Sequence, residues 1–528
     1  MIRNTYGKIK KRRSVMKFKK FLTVALGLVM GLPLAAGCAP SEEEGGGDQG
    51  GSTEDIVFSD VWSAGMSQNF AAGETYTLDV GADIGSQNYI RFDYSSSCGL
   101  DAVMYFTDAD GTQEYSERFY LSPEDTEFRQ ILDYYHENTF EKRLDRIEFE
   151  CVYGSGDFAL DKISIATHPI DFSEVNFYMA DMTEENMRLF IEGNTVKLGI
   201  NLKLGGAIDH LSSVNQGISL SAELGELYVG QNAKERVYQE DDVNLINAHD
   251  TGRLIQQSFY GTLGDSAADP QDDYVCGYFD HDGNSATPAI AWPYNPVQGG
   301  DQYQNLSQLV DVQYTDSEVY VKTRPMDWAK NNSVTPFYME NTYKIIDDPV
   351  YGEYVQVTNR STDFSGYVHN NPRDQELPAF YGITPLGRLA TYKGFSPWTG
   401  GAVSTEDDLG FWSPGTADNR FEATENWIAW LNEDDWGIGL YVPDVTSMLA
   451  GRNEYSVDTG VVGIFPDEAV PCTYTAPLGV FSMPSYESFS YSYYLKLDYL
   501  IYSRALFASL HEAGASNDDL LRLEGRTA

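Results

Sequence analysis

Residues Val196–Ser213 read VKLGINLKLGGAIDHLSS. Val196, Leu198, Ile200, Leu202 and Leu204 fall on every second position, the period of a strand that buries one face. Gly205-Gly206 then breaks the run, because paired glycines accept backbone conformations that a strand interior does not. The same alternation returns in SEVYVKTRP, EYVQVTNRS, WGIGLYVP and FSYSYYLKLDY, where Phe489, Tyr491, Tyr493, Leu495 and Leu497 share a face. From residue 174 to 510 these runs follow one another without internal repeats or intervening long amphipathic helices, which predicts one large all-β sandwich.

Working back toward the N-terminus, residues 56–168 form a second all-β unit. Ile90, Phe92 and Tyr94 alternate, as do Ile147, Phe149 and Cys151, and FTDADGTQEY centres on Asp110-Gly111, a hairpin signal. The closing DFALDKISIATHP resembles the last strand of jelly-roll carbohydrate-binding modules, which implies a β-sandwich with Trp62, Tyr89, Tyr105, Tyr115, Tyr134 and Tyr135 as stacking candidates. A structural spacer of the same fold is the other reading. A linker is expected near His168–Ser173, and then a short helix in TEENMRLFIEG, capped by Thr183 and Gly193. YLIYSRALFASLHEAG is expected to pack on an edge, with residues 511–528 as a C-terminal tail.

Lys17, Lys19 and Lys20 precede the apolar run FLTVALGLVMGLPLAAG, which ends at Cys38. That run is short for a membrane span and reads as an export signal over residues 1–37, with Met16 as an alternative start. LAAGC resembles the lipobox of bacterial lipoproteins. The resemblance implies cleavage after Gly37, a lipid on Cys38 and a chain held at the bacterial membrane, facing the outside or the periplasm. Residues 38–55, rich in Gly and acid, are expected to be a disordered tether.

Nine of the 36 basic residues and none of the 79 acidic ones lie in residues 1–37, so removal of that segment leaves 27 basic against 79 acidic residues. Such a surface repels polyanions and argues against a nucleic-acid partner, whose binding draws on Lys and Arg contacts to phosphate. Export would permit disulfides, but spacing does not decide whether Cys98 pairs with Cys151 or Cys276 with Cys472. No Cys/His cluster suggests zinc. FDHDGNS offers Asp280, Asp282 and Asn284 as oxygen ligands, yet it lacks the register and closing Glu of a calcium loop and reads better as an Asp-Gly turn. No cofactor is expected beyond a structural calcium at that turn.

Residues Asn244–Gly261, NLINAHDTGRLIQQSFYG, crowd His249, Asp250, Arg253, Gln256, Gln257 and Tyr260 into one run. Polar heads in that number must converge on polar partners or cost about 1–3 kcal/mol each when buried. Four further stretches have the same character. AWPYNPVQGGD carries Trp292, Asn295, Gln298 and Asp301; HNNPRDQELPAFYG carries His369, Arg373, Glu376 and Tyr381; YKGFSPWTGG carries Trp398; and ENWIAWLNEDDWGIGLYVP carries Glu425 and Trp427. Five of the eight Trp (292, 398, 412, 427 and 430) lie in or beside these loops.

The order LGGAIDHLSS, NLINAHDTGRLIQQSFYG, YNPVQGGD resembles the opening of the galactose-mutarotase-like supersandwich fold. That superfamily includes sugar epimerases, polysaccharide lyases and sandwich domains of glycoside hydrolases. The resemblance implies a sugar cleft lined by these loops, although the His-bearing segments that define aldose epimerases are not matched. Amide, carboxyl and guanidinium groups suit sugar hydroxyls, and aromatic faces suit the apolar side of a pyranose. The substrate-binding candidates are therefore Arg253, Gln257, Trp292, Asn295, Gln298, Asp301, His369, Arg373, Tyr381, Trp398 and Trp427. For hydrolysis, which needs carboxyls in unlike environments, the candidates are Asp250, Glu376 and Glu425. For a lyase, His249 or Tyr260 would be the base and Arg253 the partner of the developing charge. A glycan binder without chemistry and an adhesive sandwich are the remaining readings.

Overall fold

The computed structural model describes residues 52–108, 111, 114–132, 142–170, 172, 188–214, 243–248, 250–261, 294–328, 330–369, 371–406, 420–453 and 472–526. Outside them lie Cys38, His249, Cys276, Asp280, Asp282, Asn284, Trp292, Trp412 and the whole export signal. The chain is an all-β sandwich protein, and its described residues form four principal antiparallel sheets.

Residues 59–166 supply two of the four. Sheet I orders Ser59–Trp62, Gly156–Ala166, Tyr89–Ser96 and Glu127–Ile131, with Met66–Phe70 also on Gly156–Ala166; sheet II orders Thr75–Gly85, Lys142–Tyr153, Gly99–Asp108 and Glu114–Leu121. The alternation that marks these strands buries Ile90, Phe92 and Tyr94 against Leu100, Met104, Ile147 and Phe149 in one core.

The later strands make two nine-stranded sheets. Sheet III runs Arg188–Glu192, Val196–Asn201, Ala207–Ser213, Ile255–Gln256, Ala379–Ile383, Cys472–Phe481, Ser447–Asn453, Arg420–Glu422, with Arg373–Glu376 also on Cys472–Phe481. Sheet IV runs Gln308–Tyr314, Glu318–Arg324, Phe337–Asp348, Gly352–Asp363, Ser488–Tyr499, Trp436–Tyr441, Trp427–Leu431, Arg388–Thr391, Ser404–Glu406. Leu198, Ile200, Ile208 and Phe380 from sheet III meet Val321, Met339, Val355, Ile428 and Trp430 from sheet IV in the core between them.

Three local expectations change. The strand ends at Asn201, whose side-chain oxygen accepts from Lys203 N at 3.0 Å and starts a short 3-10 turn over Leu202–Leu204. Gly205 (φ 59°) and Gly206 (φ 74°) follow, and a Cβ on either would strike the Gln298 carbonyl at 2.2 Å or Val321 at 2.5 Å. The glycine pair thus allows close approach between sheets as well as a turn. Arg188–Glu192 is a strand, not the end of a helix: it pairs along its whole length with Val196–Asn201, and Leu189 and Ile191 point inward while Phe190 and Glu192 do not. Edge pairing and a buried period-two face outweigh the helical propensity of this segment. Finally, the stretch expected as a tail is packed. Helix α1 (Leu500–Glu512) is followed by α2 (Asp518–Leu523), whose Leu520 is fully buried.

Both ends of the outer face of sheet IV are covered. At one, α1 lays Leu506 and Phe507 on Trp427, Ala429 and Tyr441, an approach that Gly439 permits because a Cβ there would meet Phe507 at 2.8 Å. At the other, Val310, Tyr338 and Phe364 join the core of sheets I and II. An ionic seam reinforces that joint. Tyr89 donates to Asp311, Arg360 pairs with Asp125 at 2.9 Å and Glu124 at 3.1 Å, and Lys322 lies 3.4 Å from Glu340. The joint also holds His168, whose ring bonds the Val312 carbonyl and whose pKa burial lowers to about 4. Even the last residues of the expected tether are docked, since Thr53 Oγ1 accepts from Tyr314 N at 2.7 Å.

Candidate functional site

Asn244–Gly261 is built into the middle of sheet III. Leu245 N donates to Leu211 O at 2.8 Å, Asn247 N to Tyr381 O at 3.0 Å and Ile383 N to Leu245 O at 3.1 Å. Residues 244–248 therefore fill the space between Ala207–Ser213 and Ala379–Ile383, and the chain returns through Ile255–Gln256, which pairs with both strands. Asp250 makes the turn: its Oδ1 accepts from Gly252 N at 2.9 Å and its Oδ2 lies 3.4 Å from Arg253 Nε. Gly252 lies under Trp328, whose ring would be 2.7 Å from a Cβ. Asp250 and Arg253 thus serve one another locally.

Several other candidates are held inside the sandwich. Gln257 donates to Glu340 O at 2.8 Å and accepts from Ser361 Oγ at 2.9 Å. Gln298 accepts from Gln257 N and donates to Gly205 O and Asn341 Oδ1. Asn295 donates to Phe259 O. Asp301 is fully buried and accepts from Tyr303 N, Asn305 N, Asn332 N and Asn305 Nδ2. His369 bonds Asp363 at 3.0 Å and stacks on Tyr294 at 5.5 Å, with no exposed side-chain surface. Each of these groups is hydrogen-bonded within the fold, as buried polar groups require.

A third set sits beyond the core, on the α1 side of sheet IV. Glu425 is fully buried and bonds Arg504 Nε at 2.9 Å and Nη2 at 2.7 Å, Trp427 Nε1 at 2.6 Å and Trp398 N at 2.7 Å. Burial raises its pKa, but these donors outweigh burial and hold the carboxyl below its ordinary range. Trp427 is fully buried; Trp398, at φ 62°, stacks on His511 at 4.7 Å. These residues brace α1 against sheet IV.

What the fold does bring together is Tyr260, Glu376 and Tyr381, on the outer face of sheet III. Tyr381 and Tyr474 project from neighbouring strands, at paired positions, with ring centroids 4.7 Å apart. Tyr474 donates to Glu376 Oε1, and Ser258 Oγ reaches Oε2 at 3.2 Å. Tyr260 also bonds this carboxyl. Gln375 fixes the spacing by accepting from Tyr260 N at 2.8 Å and donating to Tyr260 O at 2.9 Å. Arg373 opens the same strand, and its neighbour Asp374 pairs with Arg420 at 2.8 Å. Among the described residues, hydroxyls and no cation partner Glu376. Burial raises its pKa, the three hydroxyls oppose that only in part, and the net shift is upward. Tyr474 is pushed well above its ordinary value by burial and then by Glu376, so it remains a donor.

No protein-family model and no curated protein matches this chain. Several solved structures resemble it weakly. A candidate aldose 1-epimerase from Klebsiella pneumoniae is 10% identical with a TM-score of 0.28, over 61% of this chain and 82% of its own. A 4-alpha-glucanotransferase from Thermococcus litoralis is 9% identical with a TM-score of 0.24, over 58% and 37%. The lectin binding domain of Lectinolysin, solved with Lewis b, is 12% identical with a TM-score of 0.14, over 20% and 71%. At these scores the matches assign no activity and no residue.

Ser258, Gln375 and Tyr474 were not singled out from the sequence. Ser258 lies inside the Asn244–Gly261 run and Gln375 beside Glu376, so both were within reach. Tyr474 follows Cys472 in a strand whose alternation alone marks it only as a side chain sharing a face with Ala476 and Leu478.

Proposed function

We propose that this chain is a carbohydrate-active protein that performs acid–base chemistry on a glycan at the outer face of sheet III, with Glu376 as the proton donor. The observation that carries this reading is the Glu376 carboxyl, raised in pKa by burial and ringed by Tyr260, Tyr474 and Ser258. A carboxyl whose pKa is raised keeps its proton to higher pH than a free glutamate and can protonate a glycosidic or ring oxygen. Tyr381, partly exposed, offers a ring beside it for the apolar side of a sugar. A glycoside hydrolase is the reaction that a carboxyl proton donor fits, since the leaving glycosidic oxygen must be protonated. In this reading the chain is exported and anchored through lipid on Cys38, and it has no nucleic-acid partner.

A glycan-binding protein without turnover is the second reading. It is favoured by the single carboxyl among the described residues of the cluster, since hydrolysis by the usual route uses two. Incubation of the mature protein with a polysaccharide panel separates the two. Release of reducing ends supports a hydrolase, a rise in unsaturated-uronide absorbance supports a lyase, and retention on a glycan array without product supports a binder. Absence of both binding and product overturns the carbohydrate reading.

A further inference from the structure

We infer that Cys98 and Cys151 are the site of an oxidative modification, an intramolecular disulfide that staples one end of the N-terminal sandwich. Both thiols are free and buried at 1% exposure, and Cys98 is among the neighbours that raise the Cys151 pKa. Cys98 lies on the crossover from Tyr89–Ser96 in sheet I to Gly99–Asp108 in sheet II; Cys151 lies near the end of Lys142–Tyr153, just before the chain crosses back to Gly156–Ala166. Leu100 pairs with Cys151 and Gly99 with Tyr153, which brings the two crossovers side by side. They share one turn as well: Cys151 Sγ is 3.6 Å from Gly154 O, Cys98 Sγ is 4.0 Å from Gly156 O, and a Cβ on Gly154 would stand 4.0 Å from Cys98 Cβ.

The position gives the bond a consequence. Tyr153, two residues past Cys151, stacks on Tyr486 at 5.5 Å, and Tyr120, which lies over Gly99, stacks on Phe364 at 5.3 Å. Both partners belong to the large sandwich, so a staple beneath these tyrosines would stiffen the joint between the two sandwiches. The chemistry balances as thiol–disulfide exchange. One protein thiolate attacks a sulfur of a small-molecule disulfide and expels one small thiolate; the second protein thiolate then attacks the protein sulfur of the mixed disulfide and expels the other, so two protein thiols lose two hydrogens and the oxidant gains them as two small thiols. Burial, with the neighbouring Cys98 thiol, pushes Cys151 up to about 11, which suits a bond formed during folding and protected afterwards.

The test is to refold the chain in a mixture of oxidised and reduced glutathione, alkylate free thiols, digest without reduction and map the cross-linked peptides by mass spectrometry. The expected product is one covalent pair joining the Cys98 and Cys151 peptides. Thermal melts supply a second readout. Reductant should lower the wild-type Tm by about 10 °C, from the entropy of closing a loop of this length, and should leave Cys98→Ser and Cys151→Ser unmoved. Alkylation of both thiols after oxidative refolding, or their pairing with Cys276 or Cys472, overturns the assignment.

Discussion

Tyr474 donates its phenolic hydroxyl to Glu376, and it does so from a fully buried ring whose own pKa is raised. The bond therefore has one polarity: tyrosine gives, carboxyl accepts. Tyr474→Phe removes a donor that favours the ionised carboxyl, so the alkaline limb of any pH–rate profile governed by Glu376 should move to higher pH. A profile that stays in place separates Tyr474 from the proton-holding role of Glu376.

The same carboxyl should leave a mark on stability. Because the folded pKa of Glu376 is raised, folding takes up a proton. The stabilisation this provides is complete below the unfolded glutamate pKa and disappears as pH rises through the folded value. Denaturant melts from pH 4 upward should show wild type losing stability relative to Glu376→Gln across that window. Parallel curves for the two proteins contradict the shift.

Glu425 should behave oppositely. Its folded pKa is lowered by Arg504, Trp427 and Trp398 against the pull of burial, so its contribution is present above the unfolded pKa and is lost as pH falls through the folded one. Glu425→Gln breaks a buried ion pair from one side, and should cost about 3 kcal/mol in chemical denaturation. Turnover per folded molecule should not change, since the residue faces α1 and not Glu376.

Glu353 offers a second test of structural carboxylates. It accepts from Asn194 N at 2.6 Å, Thr195 N at 2.6 Å and Thr195 Oγ1 at 2.8 Å, closing the hairpin between Arg188–Glu192 and Val196–Asn201 onto sheet IV. These donors outweigh burial and lower its pKa. Glu353→Ala should speed amide exchange in residues 188–201 before the rest of sheet III, and uniform exchange across the sheet would show that the clamp is not local.

The class of fold was legible because period-two alternation is a backbone property that packing preserves: Val196, Leu198 and Ile200 face the core as their spacing requires. The site was legible only in part, and the reason is physical. Gln257, Gln298 and Asn295 have the composition of a sugar site, but their partners are carbonyls and amides far away in sequence, such as Glu340 and Asn341. A polar residue in a line of text does not reveal whether its partner is solvent, ligand or backbone. Glu376 and Glu425 look alike in sequence and differ in structure because Arg504, 79 positions beyond Glu425, reaches one of them. The helix expected over TEENMRLFIEG gave way, over Arg188–Glu192, to an edge strand because a neighbouring strand was there to pair with it.

The central claim is that Glu376 supplies the proton in glycan chemistry, and the most direct measurement compares wild type with Glu376→Gln on whichever polysaccharide the panel identifies, following reducing ends. Turnover should fall by about 100-fold or more, with glycan binding retained because the amide oxygen still accepts from Tyr474 and the amide NH2 can donate to the Ser258 hydroxyl. Unchanged turnover in Glu376→Gln, in protein shown to be folded, contradicts the account.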